Sequence, residues 1–329
     1  MISLLVIYSL LNFMLFFLFG KIAYKVNLVD QPNRRKIHSQ STAYTGGIAI
    51  SVALILSILI FNVSNYTLNL ILSIGFLISL VGLIDDKFSL TVGGKLSLLI
   101  IPIFYLIIHE NIVLNNIGNY DYFKIELGAF AVPFTLCCIL FLINAFNYFD
   151  GVDGLLGFSS ISVLGILYFL VHDQNLELFI IIIFITIIIF LFFNFSLFRL
   201  PKIFLGDSGS LLIGFIISFT LIYLANKQII HPILLAWVIS IFVFEFLSIN
   251  FIRLINKKNP FKPGKDHMHH IIIKKTKSVF LTNFFITSVN IIFFMIGYSS
   301  FLYINPFASL ILFVMLYLFF FVLRYKYSK

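Results

Sequence analysis

Charged side chains are scarce: Asp, Glu, Lys and Arg make up 11% of the 329 residues, against about a quarter in an ordinary soluble domain. That scarcity excludes a water-soluble globule. Cysteine is nearly absent, and the two present, Cys137 and Cys138, are adjacent inside an apolar run, which excludes a disulfide framework and a thiolate metal site. The apolar runs lack the polar/apolar alternation over about ten residues that marks a membrane β-strand, so a barrel is excluded too. No Ala-x-Ala cleavage site follows the first run, which therefore reads as a permanent helix rather than a removable signal. No nucleic-acid-binding module accompanies the net charge of +9, and anionic lipid headgroups and anionic substrates account for it better than nucleic acid does.

What is abundant is apolar surface, at 61% of the chain. A helix rises 1.5 Å per residue, so about 20 apolar residues cross the ~30 Å hydrocarbon layer. Such runs lie at 2–23, 46–61, 68–84, 95–109, 130–148, 155–171, 177–195, 209–225, 230–252, 280–300 and 304–323. The expected fold is all-α: a polytopic membrane helical bundle of about eleven transmembrane helices, one domain over residues 1–329. With these spans, every Lys and Arg except Lys124 and Lys227 falls on one side of the membrane. By the positive-inside rule that side is cytoplasmic, whereas Glu110, Asp121, Glu126, Asp173 and Glu177 face the other way.

Five connections on the basic side carry dense polar patterns. They are Asp30-x-Pro32-Asn33-x-Arg35-Lys36-x-His38 running to Gly46-Gly47, Asp85-Asp86 with Lys95, Asn144-x-x-Asn147-x-x-Asp150-Gly151-x-Asp153-Gly154-Leu155, Gly206-Asp207-Ser208-Gly209-Ser210, and His267-x-His269-His270. Adjacent carboxylates at the end of the third span sit against the negative end of a helix dipole. A solvated helix end would tolerate them, and so would a divalent cation or a role as base. Asn144 and Asn147 are one helical turn apart, and with the Asp-Gly turn that follows they suit an oxygen-liganded Mg2+, although Asp-Gly is also ordinary turn chemistry. Residues 206–210 read equally as a helix N-cap or as a glycine-flanked turn whose N–H groups hold phosphate. The histidines lack the spacing of a structural zinc site and, with the lysines around them, read as phosphate contacts. Glu245, inside the ninth span, requires a partner or a function, and Arg253 two turns on is the nearest cation in sequence.

Taken together and in this order, the five patterns resemble the polyprenyl-phosphate N-acetylhexosamine-1-phosphate transferases, the WecA, TagO and MraY types. The resemblance covers residues 30–270. The string from Asn144 to Gly157, and Asn259-Pro-Phe-Lys-Pro followed by His-x-His-His, look like the WecA branch, because the MraY branch usually shows three consecutive histidines and Met268 interrupts them here. Ser89 stands where many relatives carry a third acid, and Ala43 replaces a common proline.

The resemblance implies transfer of a sugar 1-phosphate from UDP-N-acetylglucosamine, or a related UDP-N-acetylhexosamine, to undecaprenyl phosphate, with release of UMP. It implies Mg2+, with Mn2+ as its substitute, held by Asp207 and Asn147. Asp86, or Asp85 in its place, would deprotonate or position the lipid phosphate. Lys95 and His267, His269 and His270 would contact phosphates. Asn144, Asp150 and Asp153 would line the nucleotide pocket, with Arg35, Lys36 and His38 supporting it. The implied setting is the bacterial cytoplasmic membrane, with the site on the cytoplasmic face and membrane lipids as neighbours; a homodimer stays open. The competing readings are a secondary transporter or lipid flippase, with Glu245 as its internal site, and an MraY-type transferase. A CDP-alcohol phosphotransferase would need Ala-Arg after its Asp-Gly, which is absent after Asp150-Gly151.

Overall fold

The computed structural model describes residues 2–31, 41–61, 63, 65–260, 264 and 266–328. In chain order the elements are α1 (Ile2–Lys25), β1 (Val29–Asp30), β2 (Thr42–Ala43), α2 (Gly46–Phe61), α3 (Tyr66–Phe88), α4 (Val92–His109), β3 (Asn116–Asn119), β4 (Lys124–Glu126), α5 (Ala131–Phe149), α6 (Leu155–Leu170), α7 (Gln174–Asn194), α8 (Gly206–Asn226), α9 (Pro232–Val238), α10 (Ser240–Ile255), α11 (Met268–Thr276), α12 (Val279–Tyr303) and α13 (Pro306–Ser328). Among them β1 pairs with β2 and β3 with β4, both antiparallel. Eight of these helices are long and apolar enough to cross a membrane, and α9 with α10, bent by 74°, are so together, as one broken span or a re-entrant loop. The two remaining expected spans are α2 and α6, apolar but only 16 residues each, short of the ~20 that a full crossing needs. The protein is a multi-pass, almost wholly helical membrane protein.

The bend between α9 and α10 is supported from a neighbouring helix. Interrupting a helix frees backbone groups that lipid cannot satisfy. Here Asn290 of α12 supplies both partners: its Nδ2 donates to the Val238 carbonyl at 3.0 Å, and its Oδ1 accepts from the Ile241 N–H at 3.3 Å. Helix starts follow sequence rules, with Asn65, Asp173 and Ser278 accepting N–H bonds from the first turns of α3, α7 and α12.

The chain divides into two compact units, one of residues 1–106 and 171–217, the other of residues 107–170 and 218–329. In the first, Tyr8 of α1 and Thr186 of α7 share a buried hydroxyl–hydroxyl bond of 2.7 Å. The start of α8 is approached closely by two glycines: a Cβ on Gly47 would overlap the Ser208–Gly209 backbone, and one on Gly82 the Asp207–Ser208 backbone. Backbone cannot yield as a flexible side chain can, so Gly82→Ala is expected to cost at least the ~1–3 kcal/mol typical of overpacking. The measurement is the apparent melting temperature of the detergent-solubilised protein; an unchanged value would contradict the close approach.

Candidate active site

Four of the candidate residues meet in the first unit. Asp85 and Asp86 lie in the last turn of α3, Lys95 in the first turn of α4, and Asp207 in the first turn of α8. Lys95 Nζ reaches Asp85 Oδ2 at 2.7 Å and Asp207 Oδ2 at 2.5 Å, so one ammonium bridges two carboxylates. Asp85 Oδ1 also accepts from the Leu90 N–H at 2.7 Å, while Ser89 closes α3 in a left-handed conformation, φ 52°, with its N–H on the Asp85 carbonyl. Asp86 accepts from the backbone N–H of Asp207 at 3.0 Å and of Ser208 at 3.2 Å.

That last contact resolves two expectations. The unfavourable place of a carboxylate at the C-terminal end of α3 is offset by the positive N-terminal end of α8. The same contact corrects the view of residues 206–210 as an open phosphate cradle: the N–H groups of Asp207 and Ser208 are already engaged by the Asp86 carboxyl group. Gly209 serves packing rather than anion access, since a Cβ there would run into the Leu205 side chain. The stem of the first loop is stitched alongside: Phe204 N–H donates to the Ala43 carbonyl at 2.7 Å, and Gly46 and Gly47 donate back to the carbonyls of Phe204 and Leu205. Arg35, Lys36 and His38 themselves lie outside the described residues.

The second unit brings the Asp-Gly turn and the histidines together. Asp150 is the C-cap of α5, and its N–H reaches the Asn147 carbonyl. The Asp153 carbonyl accepts from Asn283 Nδ2 of α12 at 2.8 Å. Gly151 has no side chain because the His269 ring occupies that space; a Cβ there would stand 2.5 Å from His269 Nε2. His267 is the N-cap of α11, its ring parallel to that of His269 at 5.4 Å, and the His269 and His270 rings are 4.3 Å apart. His267 Nδ1 and His269 Nε2 are buried and have no hydrogen-bond partner among the described residues. Asn144, by contrast, turns back on its own helix, with Nδ2 donating to the Leu140 carbonyl at 2.7 Å.

Burial, reinforced by the nearby Arg253 guanidinium, pushes His267 down to about 4. Burial and the neighbouring imidazoles hold His269 well below the usual histidine range. Both rings are therefore neutral near pH 7. An unfolded histidine takes up a proton near pH 6.5, so between that value and about 4 the unfolded chain binds protons that folded His267 refuses, and stability falls as pH drops through this window. The melting temperature is expected to be flat above pH 7 and to decline toward pH 4, with a shallower decline in His267→Gln; an equal slope in that variant would contradict the burial assigned to His267. Asp266 adds a lower window. Its bonds to Arg253 hold it down at about 2, and the stability this supplies above pH 4 is lost as pH falls toward 2.

Some residues around the histidines went unread in the sequence. Glu245 is paired, as its burial requires, but with Arg324 of α13 at 2.7 Å rather than with Arg253; Arg253 binds Asp266 at 2.7 Å. The only sequence signal for the first pair was an unmatched acid in one span and an arginine near the end of another. As for a metal, no three of His, Cys, Asp and Glu form a metal-holding group among the described residues. Mg2+ commonly uses one or two carboxylates and completes its shell with water and substrate phosphate; the carboxylates converging on Lys95 fit that mode and not an all-protein cage. Asp207 belongs to the first unit and Asn147 to the second.

Comparison with known proteins bears on what such a cluster does. A family model described as glycosyl transferase family 4 matches residues 68–225. An undecaprenyl-phosphate alpha-N-acetylglucosaminyl 1-phosphate transferase of Yersinia pestis is 31% identical over 265 residues, 78% of this chain and 73% of that protein. Its counterpart in Escherichia coli O157:H7 is 28% identical over 81% of this chain and 75% of its own length. A probable undecaprenyl-phosphate N-acetylglucosaminyl 1-phosphate transferase of Bacillus subtilis is 28% identical over 76% of this chain and 71% of its own.

Proposed function

This chain belongs to the polyprenyl-phosphate N-acetylhexosamine-1-phosphate transferase family, and on that premise we propose that it moves N-acetylglucosamine 1-phosphate from UDP-N-acetylglucosamine to undecaprenyl phosphate. An oxygen of the lipid phosphate attacks the β-phosphorus of the donor, the bond from that phosphorus to the bridging oxygen breaks, and UMP leaves. The observation that carries the reading is the convergence of Asp85, Lys95 and Asp207 at the ends of three separate spans. Phosphoryl transfer asks for alignment and charge stabilisation more than for covalent chemistry, and ionic groups at helix ends provide both where a water-soluble nucleotide meets a lipid. By the positive-inside pattern, these ends face the cytoplasm of a bacterial inner membrane.

Asp207 would hold Mg2+, and the ion, or Mn2+ in its place, would neutralise charge on the diphosphate. Asp85 is engaged by a full positive charge, whereas Asp86 meets neutral amides, which leaves Asp86 as the carboxylate for the acceptor's proton. Lys95 steadies negative charge as the bond to UMP breaks. Neutral His267 and His269 would offer a ring N–H to phosphate oxygens of the donor, and Asp150 and Asp153 shape the turn against which His269 rests. The transporter reading loses its support, because the internal acid it needed, Glu245, is committed to Arg324.

The test is UMP release by purified protein given Mg2+, undecaprenyl phosphate and a panel of UDP-sugars. Release is expected only when donor and lipid are both present, and fastest with UDP-N-acetylglucosamine. Release without lipid, or none with any donor, would overturn the proposal.

A further inference from the structure

The pair between Glu245 and Arg324 does more than neutralise two charges in an apolar setting. Glu245 is 2% exposed and Arg324 5%. Arg324 meets the carboxylate side-on, Nε to Oε2 at 2.7 Å and Nη2 to Oε1 at 2.9 Å. Among the described residues each member then makes one further bond, and both go to the backbone around His267. Arg324 Nη2 donates to the Asp266 carbonyl at 2.9 Å, and Glu245 Oε1 accepts from the Met268 N–H at 2.7 Å. The Asp266 carbonyl belongs to the peptide group before His267 and the Met268 N–H to the one after it, so the two peptide groups that set the orientation of His267 both end on this ion pair. The approach is tied as well: Arg253 holds the Asp266 carboxylate through Nε and Nη2 and the Pro260 carbonyl through Nη1 at 2.7 Å.

We propose that Arg324, near the end of the last helix, is a positioning residue for the histidine segment, acting with Glu245 to fix where His267 and His269 stand. It touches no substrate; it acts through the backbone it holds. A buried ion pair can often be replaced by apolar residues of similar volume with little loss of stability. What such a replacement cannot reproduce is the acceptor for the Met268 N–H and the donor to the Asp266 carbonyl. Lysine cannot substitute either, because a single ammonium lacks the planar fork that spans Glu245 and a carbonyl together. The assignment rests on the transferase reading only for its kinetic consequence.

The experiment compares the wild-type protein with Arg324→Lys and with the double variant Glu245→Leu/Arg324→Met. The double variant is expected to melt near the wild-type temperature, since neither charge is left alone. Hydrogen exchange over residues 266–276 is expected to accelerate in both variants while the rest of the second unit stays protected. With the histidine segment released, kcat/KM for the UDP-sugar is expected to fall by about 10²-fold, as a displacement of about 1 Å commonly does, with KM for undecaprenyl phosphate unchanged. Wild-type exchange and wild-type kinetics in a folded variant would overturn the proposal, as would equal losses for both substrates. If the double variant does not fold, Arg324→Lys, which keeps the charge opposite Glu245, carries the same test. If the wild-type protein proves inactive, the transferase reading falls and the exchange measurement alone still decides whether Arg324 clamps the segment.

Discussion

Asp207→Asn is expected to lower sugar-phosphate transfer by ~10³-fold or more, on the scale of losing a charge-stabilising group aimed at the reacting centre, while the protein still inserts and purifies as the wild type does. The structure separates the two outcomes. Asparagine matches aspartate in shape, and the bond from the residue 207 N–H to Asp86 comes from the backbone, so the start of α8 keeps its anchor. Lys95 keeps Asp85 as its counter-ion at 2.7 Å. The change removes the negative charge at the N-terminal end of α8 and little else. Transfer assayed with saturating Mg2+ reads the effect, and full activity would contradict the place given to Asp207.

Lys95→Met is expected to show the second largest effect, and on stability as well as on rate. Lys95 is the one cation that an ion pair joins to both Asp85 and Asp207 among the described residues. Methionine fills the stem of the side chain but leaves two carboxylates facing each other. Removing one partner of a fully buried pair costs about 3–5 kcal/mol; Asp207 keeps 34% of its side chain exposed, so water relieves part of this and the cost is expected to be smaller. Transfer should fall by ~10²-fold or more. Because the unopposed carboxylates become a better seat for a divalent ion, added Mg2+ should raise the melting temperature of Lys95→Met more than that of the wild type. An equal Mg2+ response in the two proteins would contradict the convergence of the carboxylates on this lysine.

The membrane architecture was legible because a helix in lipid satisfies its own backbone, and the apolarity of each run is therefore recorded locally. Each expected span coincides with a helix or, at 230–252, with a bent pair. The boundaries slipped where polar residues occupy helical turns: the third span was expected at 68–84, but α3 continues to Phe88, carrying Asp85 and Asp86 in a last turn that hydropathy does not count. The basic, polar α11 escaped for the same reason. Features that depend on distant partners were not legible. The bend at residue 239 is supported by Asn290, some fifty positions away. Glu245 finds its counter-charge 79 positions along the chain in Arg324, whereas sequence proximity pointed to Arg253.

The candidate site shows the same division. The four residues of the first unit cluster were all visible as polar groups in apolar surroundings, and the family resemblance assigned them chemistry. Their mutual arrangement was not visible. Gly206 to Ser210 looked like a turn open to phosphate because sequence cannot show that Asp86, more than a hundred residues earlier, fills it. The glycines that allow this, Gly47 and Gly82, carry no local signal of close approach; only the backbone of α8 opposite them explains their size.

Which bond of the sugar nucleotide breaks distinguishes sugar-phosphate transfer from every other reaction of the same substrates. UDP-N-acetylglucosamine labelled with 32P at the β-phosphate, incubated with purified protein, Mg2+ and undecaprenyl phosphate, reads that bond directly. Transfer of the sugar with its phosphate places the label in the organic, lipid-linked product and leaves unlabelled UMP in the water. Label recovered as aqueous UDP, with sugar alone on the lipid or none at all, would contradict the reaction proposed for this protein.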